Sequence, residues 1–297
     1  MTTRVYLSTA GRSLAPGEAT VSVFDRGFLY GDSVYETLRT AGGHPIEMTR
    51  HLDRLHRSAA GIGLGIPFSD AEIREAVRVT CVDAANPDHY IRIIVTRGTG
   101  PIMLDPRLST SPLLVILVQA LALPEPALYE TGLRVRIVEI TKISQTALDP
   151  SLKTGNYLNS IQALRQAADG AAEDAILCNP AGHVAEGASS NVFMVKDGAL
   201  HTPSLATGLL EGITRALVLA LARELGLPAG EATILPAELR AADEVFLTSS
   251  IRGPMPVTTL DGQPVGAGGV GPITRRVMDR YARYIADVAA GGPELLR

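Results

Sequence analysis

A lysine amine that sheds its proton can attack a carbonyl and form an imine, and the 297 residues offer three candidates: Lys142, Lys153 and Lys196. Lys196 lies in Val195-Lys196-Asp197-Gly198, a tight turn between strands, and reads as solvated. Lys142 follows a strand whose alternating pattern could as easily turn it outward. Lys153 sits in Leu152-Lys153-Thr154-Gly155-Asn156-Tyr157, between an extended segment and a helix start, where reactive groups concentrate. A plain surface lysine would show the same local pattern.

Two strand-like runs carry a second pattern. Side chains alternate across a strand, so Tyr90 and Arg92 share one face while Ile91, Ile93 and Val95 share the other. Tyr35, Thr37 and Arg39 likewise face one way, and Val34 and Leu38 the other. Such aromatic-plus-guanidinium faces suit an anionic substrate with an apolar side chain; they also suit a sheet face that is merely wet. Residues Thr207 to Thr214 (TGLLEGIT) lead glycine-bearing backbone into a helix, where free N–H groups and the helix dipole can cradle a phosphate.

Other chemistries lack their residues. The six histidines show no i, i+4 pairing, no HExxH or GxSxG occurs, and Cys81 and Cys178 stand far apart. Gly266, Gly268 and Gly271 match GxGxxG, but Asp261-Gly262-Gln263-Pro264 precedes them where a dinucleotide site needs a buried strand. A glycine-rich turn is the reading. A net charge of -4 gives no reason to expect nucleic acid or an anionic membrane as partner. The start lacks a secretory h-region, and no apolar run reaches the ~18 residues of a membrane span. With two isolated cysteines, a cytoplasmic protein is expected.

The elements that must position these residues alternate in type, and the length favours two domains. Ala19 to Val23 and Ser33 to Thr40 read as strands with a turn at Asp25-Arg26-Gly27 between them. A helix from about Thr49 to Ala60 presents Leu52, Leu55 and Ala59 on one face. Spacing alone puts Arg50, Arg54 and Arg57 on the opposite, solvated side. Ser69 and Glu72 form a capping box for a second helix with Ile73, Val77 and Cys81 on its stripe. His89 to Arg97 and Leu113 to Gln119 read as strands.

Residues 120–130 lose periodicity around Pro124 and Pro126 and read as a linker between domains at 1–119 and 131–297. Beyond it, strands at Arg134–Glu139, Ala175–Cys178, Val192–Val195 and Val245–Thr248 alternate with helices at Asn156–Ala168, Ile213–Leu225 and Ile273–Val288. Mixed α/β in two halves is the predicted class.

The ordered segments Tyr30-Gly31 with VYETLRT, HLDRLHRSA, LKTGNYLNS, AEGASSNVFMVKDG, LLEGITR, DEVFLTSS and DGQPVGAGGVGPIT resemble the class IV aminotransferases over nearly the whole chain. The decoy glycines fall inside the last of them. The resemblance implies fold type IV of pyridoxal 5′-phosphate (PLP) enzymes: a small N-terminal α/β domain, a larger C-terminal α/β-barrel-like domain, and a homodimer. It implies that Lys153 carries PLP as a Schiff base and shuttles the substrate proton. Glu186 would pair with the pyridine nitrogen and keep it protonated. Tyr157 would bond the ring oxygen. Arg54, the backbone of Leu210, Ile213 and Thr214, and Ser250 would form the cofactor and phosphate cup.

The resemblance divides over the substrate. Tyr90-Ile91-Arg92 is similar to the Tyr-x-Arg pair that organises the α-carboxylate in branched-chain aminotransferases, and Tyr30, Tyr35 and Arg39 fall at their substrate positions. The arginine and histidine that D-amino-acid aminotransferases place after TRGTxP are replaced by Ile102-Met103-Leu104. Thr37, Ile251 and Arg252 depart from the branched-chain pattern, and Arg26 with Arg252 could form a different, D-type carboxylate clamp. The main expectation is transamination between a branched-chain or aliphatic amino acid and an oxo acid such as 2-oxoglutarate. The alternatives are a D-amino-acid aminotransferase, then an aminodeoxychorismate lyase or an (R)-amine transaminase.

Overall fold

A computed structural model describes residues 2–296. The first sheet comprises β1 (Arg4–Leu7), β2 (Arg12–Leu14), β3 (Ser33–Ala41), β4 (His44–Pro45), β5 (His89–Thr96) and β6 (Leu113–Ala120), in spatial order β2-β1-β6-β5-β3-β4. Helices α1 (Arg26–Tyr30), α2 (Met48–Gly61) and α3 (Asp70–Ala84) belong to this half. The α3 capping box forms as its sequence requires, with Ser69 and Glu72 exchanging side-chain and backbone bonds. Leu52 and Leu55 of α2 and Ile73 and Val77 of α3 bury their stripes against Val34, Leu38, Ile91 and Ile93. Fully burying each such side chain contributes about 1.5–3 kcal/mol.

The second half opens with α4 (Pro126–Thr131) and adds β7 (Leu133–Ile137), α5 (Leu158–Asp169), β8 (Asp174–Cys178), β9 (Val184–Gly187), β10 (Asn191–Lys196) and β11 (Ala199–Pro203). It continues with α6 (Ile213–Glu224), β12 (Ala229–Ala232), α7 (Pro236–Arg240), β13 (Glu244–Ser249), β14 (Gly253–Leu260), β15 (Gln263–Pro264) and α8 (Pro272–Ala289). The curled sheet runs β12-β11-β10-β13-β14-β7-β8-β9, with β15 on β14 and β9 returning toward β10 and β11. Phe193 of β10 stacks on Phe246 of β13, centroids 4.9 Å apart, at the centre of its core. Tyr281, Tyr284 and Val288 of α8 pack with Ala41 and Ile46, joining the last helix to the first half.

Some expectations fail. Ala19 to Val23 form no strand: Val21, Val23 and Phe24 are exposed, and no partner strand lies beside them among the described residues. The expected turn after them is the start of α1, whose Asp25 accepts the Gly27 N–H at 2.7 Å. The linker region holds the short helix α4, with Pro126 in its first turn, where its missing N–H costs nothing. Strand β14 had no signal because Pro254 and Pro256 interrupt it, although both sit in register opposite β13. The GxGxxG segment is a turn in which Gly266 and Gly268 take positive φ, and Glu244 accepts the N–H groups of Ile273 and Thr274 at the start of α8.

Candidate active site

The backbone of Lys153 is pinned on both sides. Its N–H donates to Ser58 Oγ of α2 at 3.0 Å, its carbonyl accepts the Tyr35 N–H at 3.0 Å, and Thr154 forms a bridge with Val34. The side chain crosses the Tyr35 ring with Nζ 4.6 Å from the centroid, and the Arg92 guanidinium lies over the same ring at 4.1 Å. Burial, then the charge of Arg54, lowers the amine from 10.5 to about 8, against the opposing pull of Glu36 and Glu186. Tyr35 and Tyr157 join through their hydroxyls beside it.

Lys153 opens into a cavity of about 410 Å³ that lies between β3, β5, β9, the start of α6 and the β13–β14 turn. The cavity has orphaned polar atoms: Ser190 Oγ, Thr248 Oγ1 and Arg92 Nε are buried without a hydrogen-bond partner among the described residues. Buried polar groups are otherwise nearly always satisfied, so these suit a polar ligand.

One end of the cavity is cationic. Arg54 is buried at 4% exposure, so α2 does not turn all three arginines to solvent; Arg57, at 59% for its side chain, does face it. Arg54 Nε and Nη2 donate to the two carboxylate oxygens of Glu36 at 2.7 and 2.8 Å, and Nη1 donates to the Glu211 carbonyl at 2.7 Å. His51 Nδ1 meets Glu36 Oε2 at 2.7 Å. Burial alone would raise the Glu36 carboxyl, but Arg54 and His51 outweigh it and hold it far below the usual carboxylate range. Burial lowers the His51 imidazole despite that carboxylate.

Beside Arg54, the 12-residue helix α6 is preceded at its cap position by Gly212, which provides no side-chain cap, and Ile213 and Thr214 line the cavity. Asn191 Nδ2 donates to the Leu210 carbonyl at 2.9 Å and fixes this entry; a Cβ on Gly212 would strike the Asn191 side chain. Free N–H groups plus a buried guanidinium form an anion cup.

At the other end Glu186 of β9 is buried at 6% exposure. Its Oε2 accepts the Leu210 N–H at 3.0 Å, and its Oε1 is ion-paired with Lys142. Tyr90, Thr37, Ser250, Ile251 and Arg252 complete the wall, with Arg252 Nη2 held by Asp174 Oδ2 at 2.7 Å.

Two predicted substrate residues lie elsewhere in this chain. Tyr30, at the end of α1, packs under Arg26, whose guanidinium carbon is 5.1 Å from its ring centroid. Arg39 is buried against Tyr281 of α8, because β3 runs on past the cavity edge. Arg26 is also occupied, by Asp32 at 3.1 Å and the carbonyls of Met103 and Leu104 at 2.6 and 3.1 Å. Glu36, His51, Ser58 and Asp174 were not singled out as parts of the site, and Lys142, a candidate in the sequence for imine chemistry, lines the cavity as the partner of Glu186. Glu36 had a readable signal: alternation places this acid on the apolar Val34/Leu38 face.

The family model for amino-transferase class IV matches residues 33–260. A D-alanine aminotransferase of Bacillus licheniformis is 34% identical over 280 residues, spanning 94% of this chain and 97% of that protein. A branched-chain-amino-acid aminotransferase of Pseudomonas aeruginosa is 35% identical over 275 residues, spanning 89% and 87%. The crystal structure of the branched-chain amino acid aminotransferase from Thermobaculum terrenum, in its PLP-bound holo form, superposes with a TM-score of 0.85. It has 28% identity, covering 98% of this chain and 94% of that one.

Proposed function

The chain belongs to the class IV aminotransferases, and from that premise we propose that Lys153 holds PLP in transamination between an aliphatic, branched-chain amino acid and an oxo acid such as 2-oxoglutarate. The observation that carries this reading is the Lys153 amine itself: desolvated, lowered to about 8, and set between two tyrosines, a buried carboxylate and an anion cup. The orphaned polar atoms and the uncapped start of α6 fit the cofactor's phosphate and polar ring substituents.

In this reading Arg54 and the N–H groups of Ile213 and Thr214 bind the phosphate, and Ser250 lies within reach of the same cup. Tyr157 would orient the ring through its hydroxyl and Glu186 would pair with the ring nitrogen; both line the cavity. Bound PLP supplies an electron sink for the pair left when a substrate Cα–H bond breaks. The chain's own part in that step would fall to Lys153 Nζ, which, once displaced by the incoming amine, would take the Cα proton and hand it back. An amine lowered toward neutrality is closer to the balance between base and acid that such a proton transfer needs. Tyr90 and Arg92 receive the substrate α-carboxylate: Arg92 Nε lacks a partner among the described residues, while Arg252 already serves Asp174.

A D-amino-acid donor is the second reading, supported by the D-alanine aminotransferase relative. With Arg26 committed to Asp32 and two carbonyls, an Arg26–Arg252 clamp within one chain would require both to give up their partners. We further infer a homodimer. Exposed Val23, Phe24 and Phe28 lie near the exposed loop Ile102, Met103 and Leu104 that Arg26 ties down, an apolar surface of the kind partners cover. The halves divided by residues 120–130 are taken as its two domains, and the unpaired Cys81 and Cys178 fit a reducing cytoplasm.

Borohydride reduction followed by peptide mass spectrometry tests the reading. A phosphopyridoxyl group on Lys153 is expected; no adduct, or one only on Lys142 or Lys196, would overturn it. A panel of L- and D-amino acids then separates the two donor readings.

A further inference from the structure

Lys142 has no part in the chemistry above, yet its ammonium reaches into the cavity. Strand β7 ends at Ile137, so the alternation that left Lys142 undirected stops before it. Its backbone N–H donates to the Cys178 carbonyl at 2.8 Å, which anchors the residue at the end of β8. Its side chain, 17% exposed, pairs with the buried carboxylate of Glu186. The carboxylate thus has one oxygen on the Leu210 N–H and the other on a lysine. A pair this desolvated is costly to assemble and costly to break from one side.

We propose that Lys142 is a positioning residue that shares Glu186 with the ring nitrogen of the bound cofactor and limits the positive charge that collects on the ring. The proposal rests on the PLP reading given above. If Glu186 receives the ring nitrogen, it must do so with a second cation already on it. A cation held there disfavours further positive charge nearby. The other charged or titratable groups facing the cavity are Lys153, Arg54, Arg92, Arg252, Tyr35, Tyr90, Tyr157 and Asp149. Arg54 is paired with Glu36, Arg252 with Asp174, and Arg92 lies over the Tyr35 ring, so among these cations Lys142 is the one paired with Glu186 itself.

The test is a pH titration of the bound cofactor's visible absorbance in the PLP-loaded wild type, Lys142→Met and Lys142→Arg. Removing the cation is expected to move the titration midpoint upward by about half a unit or more, while arginine leaves it near the wild-type value. Lys142→Gln keeps a polar tip in this half-buried place and must shift the midpoint in the same direction if the methionine variant folds poorly. An unshifted or lowered midpoint in the variant that loads, or an arginine variant that behaves like methionine, would overturn the proposal. Borohydride mapping of the same samples separates the two levels of failure. A wild type with no adduct on Lys153 sinks the PLP reading; an adduct with no shift sinks only the role of Lys142.

Discussion

Arg54 and Glu36 meet through a two-pronged ion pair, 2.7 and 2.8 Å, in which the carboxylate has no exposure at all. A guanidinium held this way presents its remaining edge, already bonded to the Glu211 carbonyl, toward the start of α6. Glu36 is therefore expected to act on phosphate binding without touching the phosphate.

Glu36→Gln leaves Arg54 charged and unpaired in a dry site. It should destabilise the fold by roughly 3 kcal/mol and weaken PLP binding at least about tenfold, measured by denaturant unfolding and equilibrium dialysis. The pH dependence has a definite sign. Glu36 is depressed in the folded state, so its contribution is complete above the ordinary value of 4.5 and is lost as pH falls below it toward the folded value. The stability difference between wild type and variant should shrink on acidification; a gap that widens would contradict the ion-pair account.

The unloaded protein should contain one unusually reactive lysine. Lys153 is lowered from 10.5 to about 8, so its labelling by an amine reagent should show a midpoint near 8. The unfolded chain then holds more protons than the folded one between those values. Stability of the unloaded protein should rise with pH across that interval, and Lys153→Met should abolish the rise. In the loaded enzyme the same substitution should cut turnover by at least about a thousandfold.

Arg92 carries the prediction on substrate binding. Its Nε is buried without a partner among the described residues, and its guanidinium lies over the Tyr35 ring, 4.1 Å from the centroid. Arg92→Ala should raise KM for both amino-acid and oxo-acid substrates by roughly 10–100-fold, and Arg92→Lys should recover little, because a point charge does not reproduce a planar fork. Equal KM values in steady-state kinetics would move the carboxylate site to Arg252.

Gly212 tests the anion cup through space alone. A methyl group there meets Asn191 and lies 3.2 Å from Arg215 Cβ, so Gly212→Ala should displace the start of α6. The expected cost is about 1–3 kcal/mol in stability, with weaker inorganic phosphate and PLP binding by isothermal titration. Unchanged affinity for both would mean that the helix start does not hold the phosphate.

The sequence by itself determined what local rules can carry. The capping box of α3, the apolar stripes of α2 and α3, the alternating β3 and β5, and the junction that holds Lys153 were all readable, because each depends on residues within a few positions of one another. The family resemblance added roles that no spacing could supply. Only the tertiary structure decided which polar residues face each other. Arg54 looks like part of a solvated stripe until Glu36, Glu211 and α6 close over it from 18 and 157 residues away. Arg39, on the same strand face as Tyr35, passes the cavity and meets Tyr281 instead. Lys142 reads as an ordinary loop lysine until the end of β8 turns it onto Glu186. Periodicity reports which face of its own element a residue occupies; the partner that buries, neutralises or orients it comes from packing between distant segments.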